Sequence, residues 1–458
     1  MYRLVRTFPA GSAARGAAAA VLIAGLVAGC TAASAAPASP STAPATATSL
    51  TVGVVLPLSG MPAELAGEER LGIQLAADLV NADGGVQGRR IVLDVRDLSD
   101  GSQAEAVVGQ LQTEGASVIV GSYASDLSIA VSTAAAKAGL VYWESGAVAD
   151  QLTGRGLPLV FRVGADGARL GANSATFAST ELAPMLGRTA STLRVTIVAA
   201  TDDYARSVAD SARAGIASAG AVLADRIDYN LSVPDWPSVL ARLVASRADV
   251  VILAAHIPDG EAFRRAMIAA NVRVGALIGS TMAQCVGDFG SELGADAIGV
   301  FASDRPTGGF NPGALQPAAR TMYDRFAAAW TKAEGSAQPS EEGLAGFTAA
   351  WALFHYILPK ASGLEPASIA AAARAVDLPE GSLPNGSGLR FSADPGRLGQ
   401  NELAAAVVWQ WQAAPAAGRS VVAGGAAATA AATPQSVTVW PPAFASGPID
   451  RSLVPLPR

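Results

Sequence analysis

Residues 50–60 read Leu-Thr-Val-Gly-Val-Val-Leu-Pro-Leu-Ser-Gly, and residues 81–90 read Asn-Ala-Asp-Gly-Gly-Val-Gln-Gly-Arg-Arg. Between them lies an amphipathic stretch from about Glu68 to Leu79. A continuous apolar run, a helical period and a turn whose glycines allow positive φ make one strand–helix–strand unit. The same rhythm returns along the chain. Further strands are predicted at 91–95, 117–120, 140–143, 193–198, 249–253 and 276–278, with Ala-rich helical stretches between them. Unbroken apolar strands separated by helices indicate mostly parallel sheets covered on both faces, the doubly wound α/β architecture. In such sheets ligands sit beyond the carboxyl ends of the strands, so the residues just after each strand are the candidates for function.

Those residues form a recognisable series. Pro57-Leu58-Ser59-Gly60 follows the first strand, Gly121-Ser122-Tyr123-Ala124-Ser125 the third and Trp143-Glu144-Ser145-Gly146-Ala147 the fourth, while Asp202-Asp203-Tyr204 follows a later one. Val408-Trp409-Gln410-Trp411-Gln412 and Val439-Trp440-Pro441 come near the end. In this order, from Leu50 to about Phe444, the series resembles the type I periplasmic solute-binding proteins of the branched-chain amino acid and amide group. The resemblance implies two lobes, each a doubly wound, mostly parallel sheet, joined by three hinge crossovers and closing on a small molecule. It places the crossings near Phe161-Arg162-Val163, Gly299-Val300-Phe301 and Leu389-Arg390-Phe391. One lobe then comprises 50–162 and 302–388, the other 163–301 and 389–458, with a low-complexity loop at 418–434.

The site follows in chemical terms. Ser125 stands where a helix is expected to begin at Asp126 or soon after, so its hydroxyl and the free helix amides suit a carboxylate or carbonyl oxygen, or else serve as a simple cap. Tyr123 and Trp143 are either flat walls of the cleft or core aromatics. Ser145, Gly146 and Ala147 form a loop whose backbone groups suit a polar ligand, glycine permitting close approach, or a plain turn. The resemblance makes Tyr204 the second lobe's contribution, closing over the ligand. His256, just past a strand, faces the expected cleft or serves as a structural hydrogen-bonding residue.

Departures from the family bear on ligand identity. Branched-chain amino acid binders carry a threonine hydroxyl where this chain has Val148, and an acidic partner for the α-ammonium where it has Thr281. A buried ammonium without a carboxylate is costly, and Glu144 and Asp259 are the candidate substitutes, against a solvated or structural role for each. Tyr123, Ser125, Trp143, Ser145, Tyr204 and Thr281 are rich in neutral donors and acceptors. That pattern is closer to the short-amide and urea branch than to a small amino acid.

The amino terminus sets the location. Arg3, Arg6 and Arg15 precede an uncharged run, Gly16 to Gly29, ending in Val27-Ala28-Gly29-Cys30, which resembles a bacterial lipoprotein signal with its lipidated cysteine. The run is too short to span a bilayer comfortably. Residues 1–29 are then a signal peptide, Cys30 carries the lipid, and the Ala/Ser/Thr/Pro stretch up to Ser49 is a disordered tether. Loss of three arginines takes the net charge from −6 to −9, a poor balance for nucleic acid. With Cys30 lipidated only Cys285 remains, so an intramolecular disulfide has no second partner.

Enzyme chemistry finds little support: two histidines about a hundred residues apart, no nucleophile elbow, no phosphate loop and no dinucleotide fingerprint. No metal or other cofactor is expected. The expectation is a monomeric, extracytoplasmic, membrane-anchored protein that delivers a small solute to an ABC permease and ATPase complex. The alternatives are an extracytoplasmic sensor docking on a membrane signalling partner and, more remotely, a hydrolase.

Overall fold

The first strand, β1 (Ser49–Leu56), pairs in parallel with β2 (Arg90–Asp97) across α1 (Ala63–Ala82). In this computed structural model residues 49–280, 287–335, 338–414 and 433–457 are described. The chain continues through α2 (Ala104–Thr113), β3 (Val118–Gly121), α3 (Ser125–Ala138), β4 (Val141–Glu144) and β5 (Val160–Arg162). The result is a parallel five-stranded sheet of order β2-β1-β3-β4-β5.

The second lobe opens with α4 (Gly167–Phe177), the single turn α5 (Ala183–Met185), β6 (Arg194–Ala200), α6 (Asp203–Ser218) and β7 (Val222–Tyr229). It goes on through α7 (Trp236–Ser246), β8 (Val250–Ala254), α8 (Ile257–Ala269), β9 (Ala276–Ser280), α9 (Gly287–Leu293) and β10 (Phe301–Asp304). The chain then returns to the first lobe as α10 (Pro317–Glu334), α11 (Glu341–Trp351) and α12 (Pro366–Ala375), followed by the two-stranded pair β11 (Asp377–Leu378) and β12 (Leu389–Arg390). It ends in the second lobe as β13 (Val407–Ala413) and β14 (Pro434–Trp440). The second sheet has seven strands, β14-β13-β10-β9-β8-β6-β7, parallel from β10 to β7 and antiparallel through β13 and β14.

Each sheet has its own core. Val52, Val54, Val120, Trp143, Phe326 and Phe347 are buried in the first lobe, and Val195, Ile197, Val251, Ile252, Ile278 and Phe263 in the second. Burial of each such side chain stabilises the fold by about 1.5–3 kcal/mol. In the first lobe α1 packs directly on α11, because a Cβ on Gly72 would lie 2.1 Å from the Gly343 carbonyl oxygen and one on Gly346 would lie 2.3 Å from that of Glu69. Side chains at these positions would force the helices apart and move Glu69 and Glu341 away from each other.

The crossings differ from those expected in two places. β10 pairs with β9 as far as Ser303 and with β13 as far as Asp304, so the chain leaves the second lobe at Arg305 rather than near Phe301. Phe391 still packs on Trp143 and Phe161 of the first lobe, and the final return follows Asn401. The reason is pairing: strand hydrogen bonds hold β10 to its end, and an aromatic cluster holds Phe391. Two crossing segments are bonded to each other, the Arg162 amide donating to the Gly399 carbonyl (2.9 Å) and the Asn401 amide to that of Arg162 (3.0 Å).

Candidate functional site

The carboxyl edges of the two sheets carry the candidate residues. On the first lobe, β4 runs into Glu144, whose side chain turns back and fills the loop that follows. Its Oε1 accepts the amides of Ser145 (3.0 Å), Gly146 (2.7 Å) and Ala147 (2.7 Å), and its Oε2 accepts the Tyr142 hydroxyl (2.8 Å). Ser125 is the first residue of α3, with Ala124 in the capping position, so its hydroxyl does not cap that helix. Its oxygen instead accepts the amides of Val148 (3.3 Å) and Ala149 (3.1 Å).

The carbonyls of the same loop are also engaged. Arg305 Nη1 donates to Gly146 (2.7 Å), Arg162 Nη1 to Ala149 (2.7 Å) and Ala147 (3.3 Å), and the Gly167 amide to Val148 (2.9 Å). The Ser145 hydroxyl donates to Glu69 Oε1 (2.5 Å). The expectation that the backbone of Ser145, Gly146 and Ala147 meets a ligand is therefore corrected: in this structure those groups build the loop. Trp143 is likewise a core residue and not a cleft wall. It has no exposed surface, its indole donates to the Ala349 carbonyl (2.8 Å), and its ring packs on Phe161 and Phe391. Tyr123 has a left-handed backbone (φ 67°) and is buried beside Gly146.

Behind the loop lies a charged cluster that the sequence reading did not single out. Glu69, Asp304, Glu341 and Glu342 surround Arg305, all of them buried. Arg305 forms an ion pair with Glu341 and lies 3.8 Å from Asp304. Burial, then the nearby Glu144, pushes the Glu69 carboxyl up to about 8. Burial, then Glu341, also pushes Asp304 and Glu342 well above the carboxylate range. Burial pulls the Arg305 guanidinium down, but Glu341 and Asp304 outweigh it and hold its proton more firmly than usual. A signal existed in the sequence: Glu69 falls on the helix face of Ala66, Ile73 and Ala76, where an apolar residue is the norm.

On the second lobe Tyr204 lies near the start of α6, its hydroxyl 2.8 Å from the Ser280 carbonyl oxygen and 3.2 Å from that of Ala255, bridging the ends of β9 and β8. His256 caps α8 and meets the Tyr204 ring edge-on, with centroids 5.1 Å apart. Its Nδ1 is 3.9 Å from both Asp202 Oδ2 and Asp259 Oδ1, too far for hydrogen bonds. Asp202 Oδ1 caps α6 through the Ala205 amide (3.0 Å), leaving Oδ2 turned toward the imidazole. Asp259 accepts the Tyr229 hydroxyl and the His256 amide (2.9 Å). Glu144 and Asp259, the candidate ammonium partners, are thus both committed to structural bonds. Thr281 and Cys30 lie outside the described residues.

The lobes meet at this loop. The Asp150 amide donates to Ser207 Oγ of α6 (3.0 Å), and the Ala168 amide of α4 donates to Asp150 Oδ1 (2.9 Å). Of the expected residues, Ser125 retains a hydroxyl proton for which no acceptor is found among the described residues, and Tyr204 and His256 stand together opposite. Among the described residues no group of histidine, cysteine or carboxylate side chains is arranged to hold a metal ion. No helix among them is long and apolar enough to cross a membrane.

The family model for periplasmic binding protein matches residues 49–434. The chain belongs to the periplasmic binding protein family. A relative in Brucella abortus, named Leu/Ile/Val-binding protein homolog 8, is 31% identical over 362 residues, covering 79% of this chain and 87% of that protein. Among solved structures, an ABC transporter substrate-binding protein from Desulfitobacterium hafniense in complex with Leu superposes with a TM-score of 0.63 at 21% identity, covering 79% of this chain and 97% of that one. A solute-binding protein from R. palustris in complex with benzoate superposes with a TM-score of 0.62 at 20% identity, covering 79% of this chain and 93% of that one. At that identity the solved structures establish the two-lobed fold alone. This periplasmic binding protein therefore has the type I architecture, and its family membership places it outside the cytoplasm.

Proposed function

We propose that this protein is a lipid-anchored solute receptor that captures a small polar molecule between its lobes and hands it to the permease and ATPase of an ABC importer. The observation that carries the reading is the pairing of opposed edges. Ser125 offers a hydroxyl donor at the end of β3, and Tyr204 and His256 converge at the ends of β8 and β9. A solute touching both edges stabilises the closed form over the open one, and that population shift is what an importer can sense. No chemistry on the solute is required.

The solute class is a small amino acid, a short amide or urea. The relatives named for leucine, isoleucine and valine support the first. The neutral donor of Ser125, with Glu144 and Asp259 both engaged, supports the others. The anchor rests on Val27-Ala28-Gly29-Cys30 after three arginines, and labelled palmitate should enter the wild-type protein and not Cys30→Ala. The solute is tested by thermal unfolding of ligand-stripped protein against leucine, isoleucine, valine, acetamide and urea. Solute at a hundredfold its Kd adds about 2.7 kcal/mol. A shift with none of the five, from protein shown to have refolded, overturns the proposed solute class.

A further inference from the structure

Glu69 and Glu144 both bond the Ser145–Ala149 loop, with opposite provision for charge. Four donors converge on Glu144: three loop amides and the Tyr142 hydroxyl. One donor reaches Glu69, the Ser145 hydroxyl at 2.5 Å, and Glu69 Oε2 is buried with no hydrogen-bond partner among the described residues. A fully buried carboxylate with a single donor is poorly solvated, and taking up a proton is the cheaper state. The contact has no slack, because a Cβ on Gly146 would lie 2.3 Å from Glu69 Oε2. From the same buried cluster, Arg305 at the lobe crossing holds the Gly146 carbonyl.

We propose that Glu69 is a positioning residue that orders the Ser145–Ala149 loop as a neutral acid, so that the loop's order, and through it solute affinity, is coupled to one proton. The inference rests on the proposed function, because the Val148 and Ala149 amides of this loop hold the Ser125 hydroxyl that is the first lobe's proposed contact with solute. Ionising Glu69 places a second charge behind the loop already bonded to Glu144. It also adds to the charge of Glu341, which shares Arg305; the Ser145 hydroxyl bonds the carboxylate more strongly but does not offset burial, so opening the loop to water becomes the cheaper state. The charged or titratable groups facing Glu69 are Glu144 at the end of β4, Arg305 after β10, Glu341 on α11 and Tyr123 after β3. Burial and Glu144 move its titration to about 8, with Ser145 and Arg305 drawing it back only in part. The coupling therefore operates in mildly alkaline solution: the loop is ordered below that pH and loosened above it.

The test is hydrogen exchange at the amides of residues 145–149, at pH 6.5 and pH 9, after correction for the intrinsic pH dependence of exchange. One pH unit above its midpoint a carboxyl is about tenfold more ionised than protonated. The wild type should therefore lose about tenfold in protection between the two pH values, and Glu69→Gln, which cannot ionise, should show no such excess. If Glu69→Gln does not fold, Ser145→Ala breaks the same contact and should flatten the same profile. No excess in the wild type, or an equal excess in the variants, overturns the proposal. Calorimetric titration with L-leucine at both pH values reads the second half of the claim. The affinity should fall about tenfold in the wild type alone, and an affinity unchanged while the loop loosens overturns the link to binding. If leucine does not bind at pH 6.5, the titration is made with whichever of the five solutes raises the melting temperature, and the exchange data decide the role of Glu69 in either case.

Discussion

Replacing Arg305 with methionine keeps most of the side-chain volume and removes the only cation of the buried cluster. Arg305 is 6% exposed, holds the Gly146 carbonyl at 2.7 Å and pairs with Glu341, which is itself 2% exposed. Leaving the carbonyl without a donor costs about 1–2 kcal/mol. Stranding a buried carboxylate costs about 3–5 kcal/mol. A carboxylic acid escapes that penalty by taking up a proton, which costs a glutamate about 3.7 kcal/mol at pH 7 and about 1 kcal/mol at pH 5. The loss of stability in Arg305→Met should therefore be about 5 kcal/mol at pH 7 and about 2–3 kcal/mol at pH 5. The variant is helped by acid because it binds a proton in the folded state that the unfolded state has largely released. Urea unfolding of both proteins at the two pH values reads the difference directly. An equal loss at pH 5 and pH 7, or a variant as stable as the wild type, would show that Arg305 does not balance buried charge.

Three further outcomes follow from the same geometry. Glu69 titrates at about 8 when folded against an ordinary value of 4.5, so its stabilising contribution is complete below the ordinary value and lost as pH rises toward 8. Relative to Glu69→Gln, the wild type should lose up to about 5 kcal/mol over that interval and nothing more above it, as measured by urea unfolding. Gly146→Ala places a methyl 2.3 Å from Glu69 Oε2 and 2.9 Å from the Tyr123 Cα, and should lower stability by about 1–3 kcal/mol in the same assay. Tyr204→Phe deletes the hydroxyl placed 2.8 Å from the Ser280 carbonyl oxygen, and should cost about 1–2 kcal/mol in unfolding free energy.

Much of the fold was legible because central parallel strands are apolar on both faces. β8 reads as unbroken Val, Ile, Leu and Ala, and β1 and β6 are dominated by the same residues, so their positions follow at once. β7 is not legible as a strand, since it lies at the sheet edge, exposes Val222, Leu223 and Asp228 and interrupts its apolar residues with Asp225, Arg226 and Asp228. Strand ends were well placed but side-chain directions were not. Trp143 and Glu144 are consecutive on β4, and only tertiary structure shows that one enters the core while the other folds back onto its own loop. Arg305 and Glu341 are 36 residues apart in sequence, and the glycine-mediated approach of α1 to α11 brings Glu69 to the same cluster, a consequence of three-dimensional packing that spacing alone does not convey.

The most direct measurement is a crystal structure of the protein with whichever of the tested solutes raises its melting temperature. The expected complex has one solute molecule between the lobes, bonded to the Ser125 hydroxyl on one side and in contact with Tyr204 or His256 on the other. A solute bound to one lobe alone, or away from the carboxyl ends of both sheets, would contradict capture by closure of the cleft.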